Sequence, residues 1–567
     1  MTIRILAVAA LLTTSAHAAA IRASNDPVKD ERPITAADRD HWAWKKLAAS
    51  DKPHRLDALT HPGAPVRDEA LIRRITFDLI GLPPTPEEIS TFKAERTREP
   101  EAAIHGLIQR LLSSPRYGEH WAQWWLDLAR YAETDGFEHD KDRPHAWKYR
   151  DWVIAALNRD MPLDEFVRMQ IAGDLLGDET ATGFLFAGPD MPDINNQDLR
   201  RHTVLNDITA TVGTVCLGLT IGCAQCHDHP YDPLSQADFY RLRAFFDDTV
   251  LTQRDKQLGP SVRPFAKGVP ASVVFVRGDH TRPGPRIQPG LPRLMNGAAQ
   301  DRAALAQALT SSENALFLRT MANRLWQQHF GTPLSANPGD LGHQGTAPEN
   351  PALLDWLAAE IPRQNWSLKK LHTLILLSRT YQQASLPPRR LTGEMLRDTL
   401  LSISGDLNLH TGGESVHLPL PAAISSTLLK KHAEKPSEPA QLNRRSIYTF
   451  ARRNARHPVL DLFDRPDALA PCSRRNESTT APQALLMLNS DLSVQTAQKL
   501  AAGLKADFGS EMPQIVHAAI LRCFGREPRK ADFDAATGFF AKQADFSLAL
   551  EDYCLALLNA NEFIFVD

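Results

Sequence analysis

The sequence predicts a mainly α protein, with two helical domains joined by a Pro/Gly-rich linker that carries a short β element. Three observations carry that prediction. Apolar residues recur at helical spacing through most of the chain, Gly, Pro and Asp punctuate the periodic stretches, and the pattern lapses between about Leu251 and Gly297. A chain of 567 residues, 43% of them hydrophobic and 23% charged, has ample material for a core and the length for more than one domain. Its net charge of −3 supplies no bulk attraction to nucleic acid or to a membrane surface.

The first element is "MTIRILAVAALLTTSAHAAA", with a basic start, an apolar run from Ile5 to Leu12, and Ala16-His17-Ala18 as a small-x-small cleavage site. It reads as a secretory signal peptide over residues 1–18, too short to anchor the chain across a bilayer. No later stretch is apolar enough for a transmembrane segment, so the expected mature protein is exported to the periplasm or cell surface.

The first helical domain is expected over residues 35–250. "DEALIRRITFDLIGLPPTPEEI" places Leu71, Ile72, Ile75 and Leu79 on one helix face, stops at Gly81 and Pro83-Pro84, and opens a second helix at Thr85. Helices are expected again in "AAIHGLIQRLLSS", "GEHWAQWWLDLARYAE", "AWKYRDWVIAALNRD", "PLDEFVRMQIAGDLLG" and "LRRHTVLNDITATVGTVCLGL". "SQADFYRLRAFFDD" closes the domain.

Residues 251–310 form the predicted linker, whose one strand-like run is "ASVVFVRGD". The second helical domain spans 311–567, from "ENALFLRTMANRLWQQHFG" to "LALEDYCLALLNANEFIFVD". Within it, the polar run Lys430–Arg445 reads as a mobile insertion, and Thr480 with Pro482 marks a helix start.

Chemistry concentrates in "IGCAQCHDHPYDP", Ile221–Pro233, in a chain holding 6 Cys and 20 His. Cys223, Cys226 and His227 have the spacing of c-type haem attachment: two thiols add to the haem vinyl groups and the adjoining imidazole reaches the iron. One haem c is the leading cofactor expectation. A zinc or iron site on Cys223, Cys226, His227 and His229 competes with it, as does a plain disulfide. Attachment of haem to CxxCH takes place on the exported side of a membrane, in accord with the signal peptide. The remaining four cysteines, Cys216, Cys472, Cys523 and Cys554, stand far apart and read as small buried hydrophobes.

His229 lies too close to His227 to reach the opposite haem face. It is a candidate to bond a propionate, move protons or bind a second metal with Asp228 and Asp232. By residue type, a sixth haem ligand would come from Met169, Met191, His120, His139, His145 or His202.

Two further constellations stand out. Glu133, Asp135, Glu138, His139, Asp140, Asp142, Arg143, His145 and Arg150 crowd one break between helices, with Asp174 and Asp207 on flanking helices; Asp135 and Arg150 join His229 and Asp232 as catalytic candidates. In the second domain, Arg444, Arg445, Arg452, Arg453, Arg456, Arg474 and Arg475, interleaved with Tyr448 and Phe450, could recognise an acidic polysaccharide or a haem propionate. Ion pairing with the chain's own carboxylates is the preferred reading of these arginines.

The chain resembles the planctomycete-type surface cytochrome proteins, in which a cytochrome-like domain of unknown function (PSCyt type) precedes a second domain of unknown function (PSD type). The resemblance rests on "RRITFDLIGLPPTPEEI", "SPRYGEHWAQWWLDLARYAETDGFEHDKDRPHAWKYRDWVI", "QIAGDLL" and "LGLTIGCAQCHDHPYDPLSQADFYRL". In the second half it rests on "MANRLWQQHFG", "LHTLILLSRTYQQ", "RRSIYTFARRN", "LFDRPD", "RRNESTTAPQALLMLN" and "NANEFIFVD". Longer members often carry an extra N-terminal cytochrome c domain and a large β-rich insertion between the halves; here a short lead and a short linker stand in those places. The resemblance implies a single haem site at Cys223, Cys226 and His227, and therefore electron transfer through an unknown redox partner. A metal-dependent enzyme acting on carbohydrate or another exported substrate, and a cell-surface binding or scaffold protein, are the competing functions.

Overall fold

The computed structural model describes residues 28–567 apart from 49–55, 253–254, 256–257, 267, 296 and 421–435. The signal-peptide reading and the first six residues of the polar run from Lys430 lie outside the described residues. The protein is mainly α, with three two-stranded antiparallel sheets among the described residues. No described helix is long and apolar enough to cross a membrane.

Local signals set the helix ends. The Asp68–Ile80 helix stops at Gly81, which takes φ 65°, and the Pro86–Arg98 helix opens with a Thr85–Glu88 capping box. A second capping box, Ser235 with Asp238, starts Gln236–Ala244, and Thr480 with Gln483 starts Ala481–Asn489. The linker holds more β structure than its sequence predicts. Val273–Phe275, within the predicted strand-like run, pairs with Pro283–Arg286, and Thr249–Thr252 pairs with Ser261–Pro264; neither partner strand was expected. A third pair joins Arg389–Arg390 to Phe565–Val566 near the C-terminus.

The largest apolar core draws on both halves of the chain. Ile75, Trp125, Val212 and Phe239 share it with Phe317, Leu357, Leu371 and Tyr448. A second core gathers Phe77, Leu396, Leu500, Ile520 and Cys554 around the C-terminal helices. Buried arginines stitch the halves together where backbone carbonyls need donors. Arg324, on the Ala315–Phe330 helix, donates to the carbonyls of Val215 at 2.6 Å and Thr214 at 2.7 Å. These carbonyls belong to the π-helical turn Gly213–Leu217 that ends the Gln197–Val212 helix and leads into the cysteine motif.

Candidate functional site

The cysteine motif is pressed back against the helix that precedes it. A Cβ on Gly213 would lie 2.5 Å from Ile221, so only glycine permits this approach, and Gly218 turns the chain at φ 58°. The Gly218 carbonyl also accepts from the Leu341 N–H at 2.7 Å, a tie to the second half. The 3₁₀ turn Ile221–Gln225 follows. Its end is held by Gln236 Nε2 and the Tyr240 hydroxyl, which donate to the Gln225 carbonyl at 2.9 and 3.2 Å.

This turn leaves Cys223 and Cys226 exposed with free thiols. Partial burial, and then the neighbouring Cys223, raise the Cys226 thiol above its ordinary value. Cys226 Sγ packs against Gly278, where a Cβ would stand 2.6 Å away. His227 is half-buried, with Nδ1 2.6 Å from the Asp228 carbonyl. That contact makes Nδ1 the protonated nitrogen and leaves the Nε2 lone pair available, the orientation used by metal-ligating histidines. Two accessible thiols and an imidazole with a defined tautomer fit the donor set of a c-type haem.

The residues after the motif face elsewhere. Asp228 Oδ1 accepts from the Gln236 N–H at 2.8 Å. His229 is 3% exposed, and its Nδ1 accepts the main-chain N–H of Asp232 at 2.8 Å. Burial holds its imidazole below the ordinary value, against the opposing pull of Asp232 and Asp340. The Asp232 carboxylate lies 3.6 Å from the His229 Nδ1 and turns to His343. Asp232 Oδ1 accepts from the His343 N–H at 2.7 Å and contacts its Nδ1 at 3.0 Å. His41 packs on His343 with ring centroids 4.5 Å apart, and burial and His343 lower its pKa to about 4.

Asp228, Asp232 and His229 are thus each engaged by neighbours other than the thiols. Among the described residues, no group of three or more His, Cys, Asp or Glu is arranged to hold a metal ion. Of the six sixth-ligand candidates, His202 comes nearest by its contacts: its Nε2 is 3.0 Å from the carbonyl of Gly278, the residue that packs on Cys226. Its Nδ1 faces Arg243 at 3.0 Å, so both ring nitrogens are engaged; burial, then Arg243, lower its pKa to about 4. His120 is half-buried in the cavity wall described below, and His139 is exposed. Met169, His145 and Met191 are half-buried.

The two charged constellations meet each other. Asp135 binds Arg143 at 2.7 Å, and Arg452 reaches Asp142 at 3.0 Å. Buried Arg453 donates to the carbonyls of Arg130, Thr134, Ala187 and Ala468. Arg150 is fully buried, holds Asp151 and Ser415, and lies over the Tyr448 ring at 4.8 Å. Arg445 pairs with Glu119 and Asp398, Arg475 with Asp127 and Glu394, and Arg456 with Asp461. Arg444 donates to the carbonyls of His410, Gly412 and Glu414. Exposed Arg474 differs: its guanidinium has no hydrogen bond or ion pair among the described residues. The preferred reading, internal pairing, therefore accounts for most of the arginines.

Cys216, Cys523 and Cys554 are buried, as their surroundings predict. Cys472 departs from that reading: it is half-buried, lines a cavity and lies 3.3 Å from the Arg474 carbonyl. His41, Gly278 and His343 were not singled out by sequence reasoning, because no local motif surrounds them.

Comparison with known families gives two matches. A family model described as a protein of unknown function (DUF1549), PSCyt2, matches residues 55–250. A second, PSD1, also described as a protein of unknown function (DUF1553), matches residues 301–540. No curated protein and no solved structure matches the chain.

Proposed function

The chain belongs to the family in which a PSCyt2 region is followed by a PSD1 region, and from that premise we propose that it works in redox chemistry outside the cytoplasm, with one haem c on Cys223, Cys226 and His227. The observation that carries the reading is the His227 Nδ1 contact with the Asp228 carbonyl at 2.6 Å, beside two exposed thiols on the same turn. Bound there, the haem would supply a reversible one-electron couple.

The chain's own residues prepare the site. Partial burial, then Cys223, raise the Cys226 thiol, which lowers its share of the reactive thiolate. Gly278 leaves room for Cys226 Sγ, and Gln236 with Tyr240 fixes the backbone between the thiols and the imidazole. With a single CxxCH, an electron must pass to or from a separate partner.

The test is expression in a host with cytochrome c maturation, followed by haem staining after denaturing electrophoresis and a pyridine haemochrome assay. The expected result is one covalent haem per chain. Purified protein from that host without a Soret band overturns the reading. Stoichiometric zinc or iron in haem-free protein would instead favour the metal-dependent enzyme.

A further inference from the structure

A cavity of ≈170 Å³ lies between the two family regions. One wall comes from the Asp68–Ile80 and Pro115–Leu128 helices; the other comes from residues 327–331, 389–398 and 445–477. Three ion-pair groups cross it. Arg389 bonds Asp78, Arg445 joins Glu119 at 3.1 Å to Asp398 at 2.9 Å, and Arg475 joins Asp127 at 2.6 Å to Glu394 at 2.8 Å. Neither family region alone would enclose this space.

The charges in these groups are compensated, yet polar groups remain unused. Gln327 Oε1 and Trp124 Nε1 are buried without hydrogen-bond partners, on residues 7% and 9% exposed. An orphaned acceptor and donor of this kind are costly to keep buried unless water or a ligand meets them. His120 also lines the cavity and has no hydrogen bond among the described residues. Burial and then Arg445 lower its pKa to about 3, so its imidazole is neutral. Trp121 and Trp124 add aromatic surface. The volume falls below the roughly 300–1,000 Å³ of sites for drug-sized ligands, which restricts the occupant to a small molecule.

We propose that this cavity is a binding site for a small, neutral, polyhydroxylated ligand, a single pyranose ring or comparable polyol. A hydroxyl both donates and accepts, so it satisfies Gln327 Oε1, Trp124 Nε1–H and the His120 imidazole without bringing charge into a compensated wall. The ring's C–H faces pack on the indoles. Cys472, Ser473, Arg474 and Arg475 are shared with a second cleft of ≈740 Å³ that reaches Thr220, the residue before the cysteine-bearing turn. That cleft gives the ligand an approach from the side of the CxxCH motif.

The site is independent of haem, so the test uses both wild type and a Cys223→Ala/Cys226→Ala variant. Glucose, galactose, mannose, glucuronate and inorganic sulfate are titrated by calorimetry and by tryptophan fluorescence. At least one neutral sugar is expected to bind both proteins, with affinity lowered at least tenfold by Gln327→Leu and little changed by Arg522→Ala, whose guanidinium pairs with Asp507 away from the cavity. Binding of sulfate or glucuronate in preference to every neutral sugar, or no sugar binding at millimolar concentration, overturns the proposal. If Gln327→Leu does not fold, hydrogen exchange on wild type decides: protection of residues 119–127 and 389–398 by the sugar supports the site, and unchanged exchange there overturns it.

Discussion

Asp232 and His343, 111 residues apart in sequence, are joined twice: Asp232 Oδ1 accepts the His343 main-chain N–H at 2.7 Å and lies 3.0 Å from its Nδ1. Asp232 is fully buried, and a Cβ on Gly342 would come within 2.4 Å of its carboxylate. The loop after the cysteine motif is therefore clamped to the second half of the chain. Its Asp and His serve this clamp, and the thiols and His227 stand apart from it.

Removing the clamp should cost stability more than it alters the cofactor site. Asp232→Ala removes the buried acceptor of the His343 N–H, which water can partly replace at this exposed residue, so the expected loss is about 1 kcal/mol. His229→Ala strands the Asp232 N–H and adds a small void. Denaturant unfolding should show lowered midpoints for both variants, while the haem content of protein matured in a competent host stays equal to wild type. Unchanged stability with altered haem content would contradict this division of roles.

Gly278 tests the geometry from the opposite side. At φ 72°, with a Cβ position 2.6 Å from Cys226 Sγ, it does not accept a side chain without displacing the sulfur. Gly278→Ala pays backbone strain of about 1–2 kcal/mol and should reduce covalent haem yield. Maleimide labelling of the unloaded protein should show a changed Cys226 rate and an unchanged Cys223 rate.

Much of the helical frame was legible because helix ends are local events. Thr85 with Glu88, Ser235 with Asp238 and the stop at Gly81 lie within a few residues of what they terminate. The cysteine motif was legible for the same reason, since spacing alone determines which groups share a turn. The Asp232–His343 clamp, the Gly278 contact with Cys226 and the cavity between Trp124 and Gln327 join residues tens to hundreds of positions apart. Nothing in their own neighbourhoods distinguishes His343 or Gly278 from any other histidine or glycine. The extra strand pair at Thr249–Thr252 escaped notice because its partner Ser261–Pro264 lies inside a Pro-bearing stretch.

Acid should destabilise the protein in two windows. Burial, with Arg397 and Arg465, lowers His457 to about 4, and burial with Arg445 lowers His120 to about 3, against about 6.5 unfolded. Because the unfolded chain binds these protons more readily, stability present above pH 6.5 is lost as pH falls toward 4. Burial opposes ionisation of Asp78 and Glu394, but Arg389 and Arg475 outweigh it and hold both at about 2. Their contribution, complete above about pH 4, is lost between 4 and 2. Buried Glu133 and Asp207, whose pKa values are raised by burial, act with the opposite sign: they take up protons in the folded state above about pH 4 and so soften the upper window. Urea unfolding from pH 7.5 to 3 should show both declines, and His457→Gln should make the upper one shallower, since His120, His41 and His202 still contribute to it, and leave the lower one unchanged.

The arginines of the second half make the sharpest contrast between structural and free charge. Arg453 is 4% exposed and gives its guanidinium to four backbone carbonyls, including those of Thr134 and Ala187 in the first half. Burial disfavours its charge and its neighbours Arg143 and Arg130 repel it, yet the carbonyls of Thr134, Arg130 and Ala468 rely on its guanidinium, while that of Ala187 also accepts from Arg143 at 3.2 Å. Arg453→Ala strands the carbonyls of Arg130, Thr134 and Ala468 together, at about 1–3 kcal/mol for each, so a severe loss of stability or failure to fold is expected. Arg474 is exposed and unpaired, and Arg474→Ala should leave unfolding within about 0.5 kcal/mol of wild type. If an acidic polysaccharide is bound through this segment, retention on immobilised heparin should fall for Arg474→Ala and remain for a folded Arg456→Ala, whose guanidinium already holds Asp461 at 2.9 Å. Equal retention for wild type and Arg474→Ala would leave the segment with no role beyond joining the two halves of the chain.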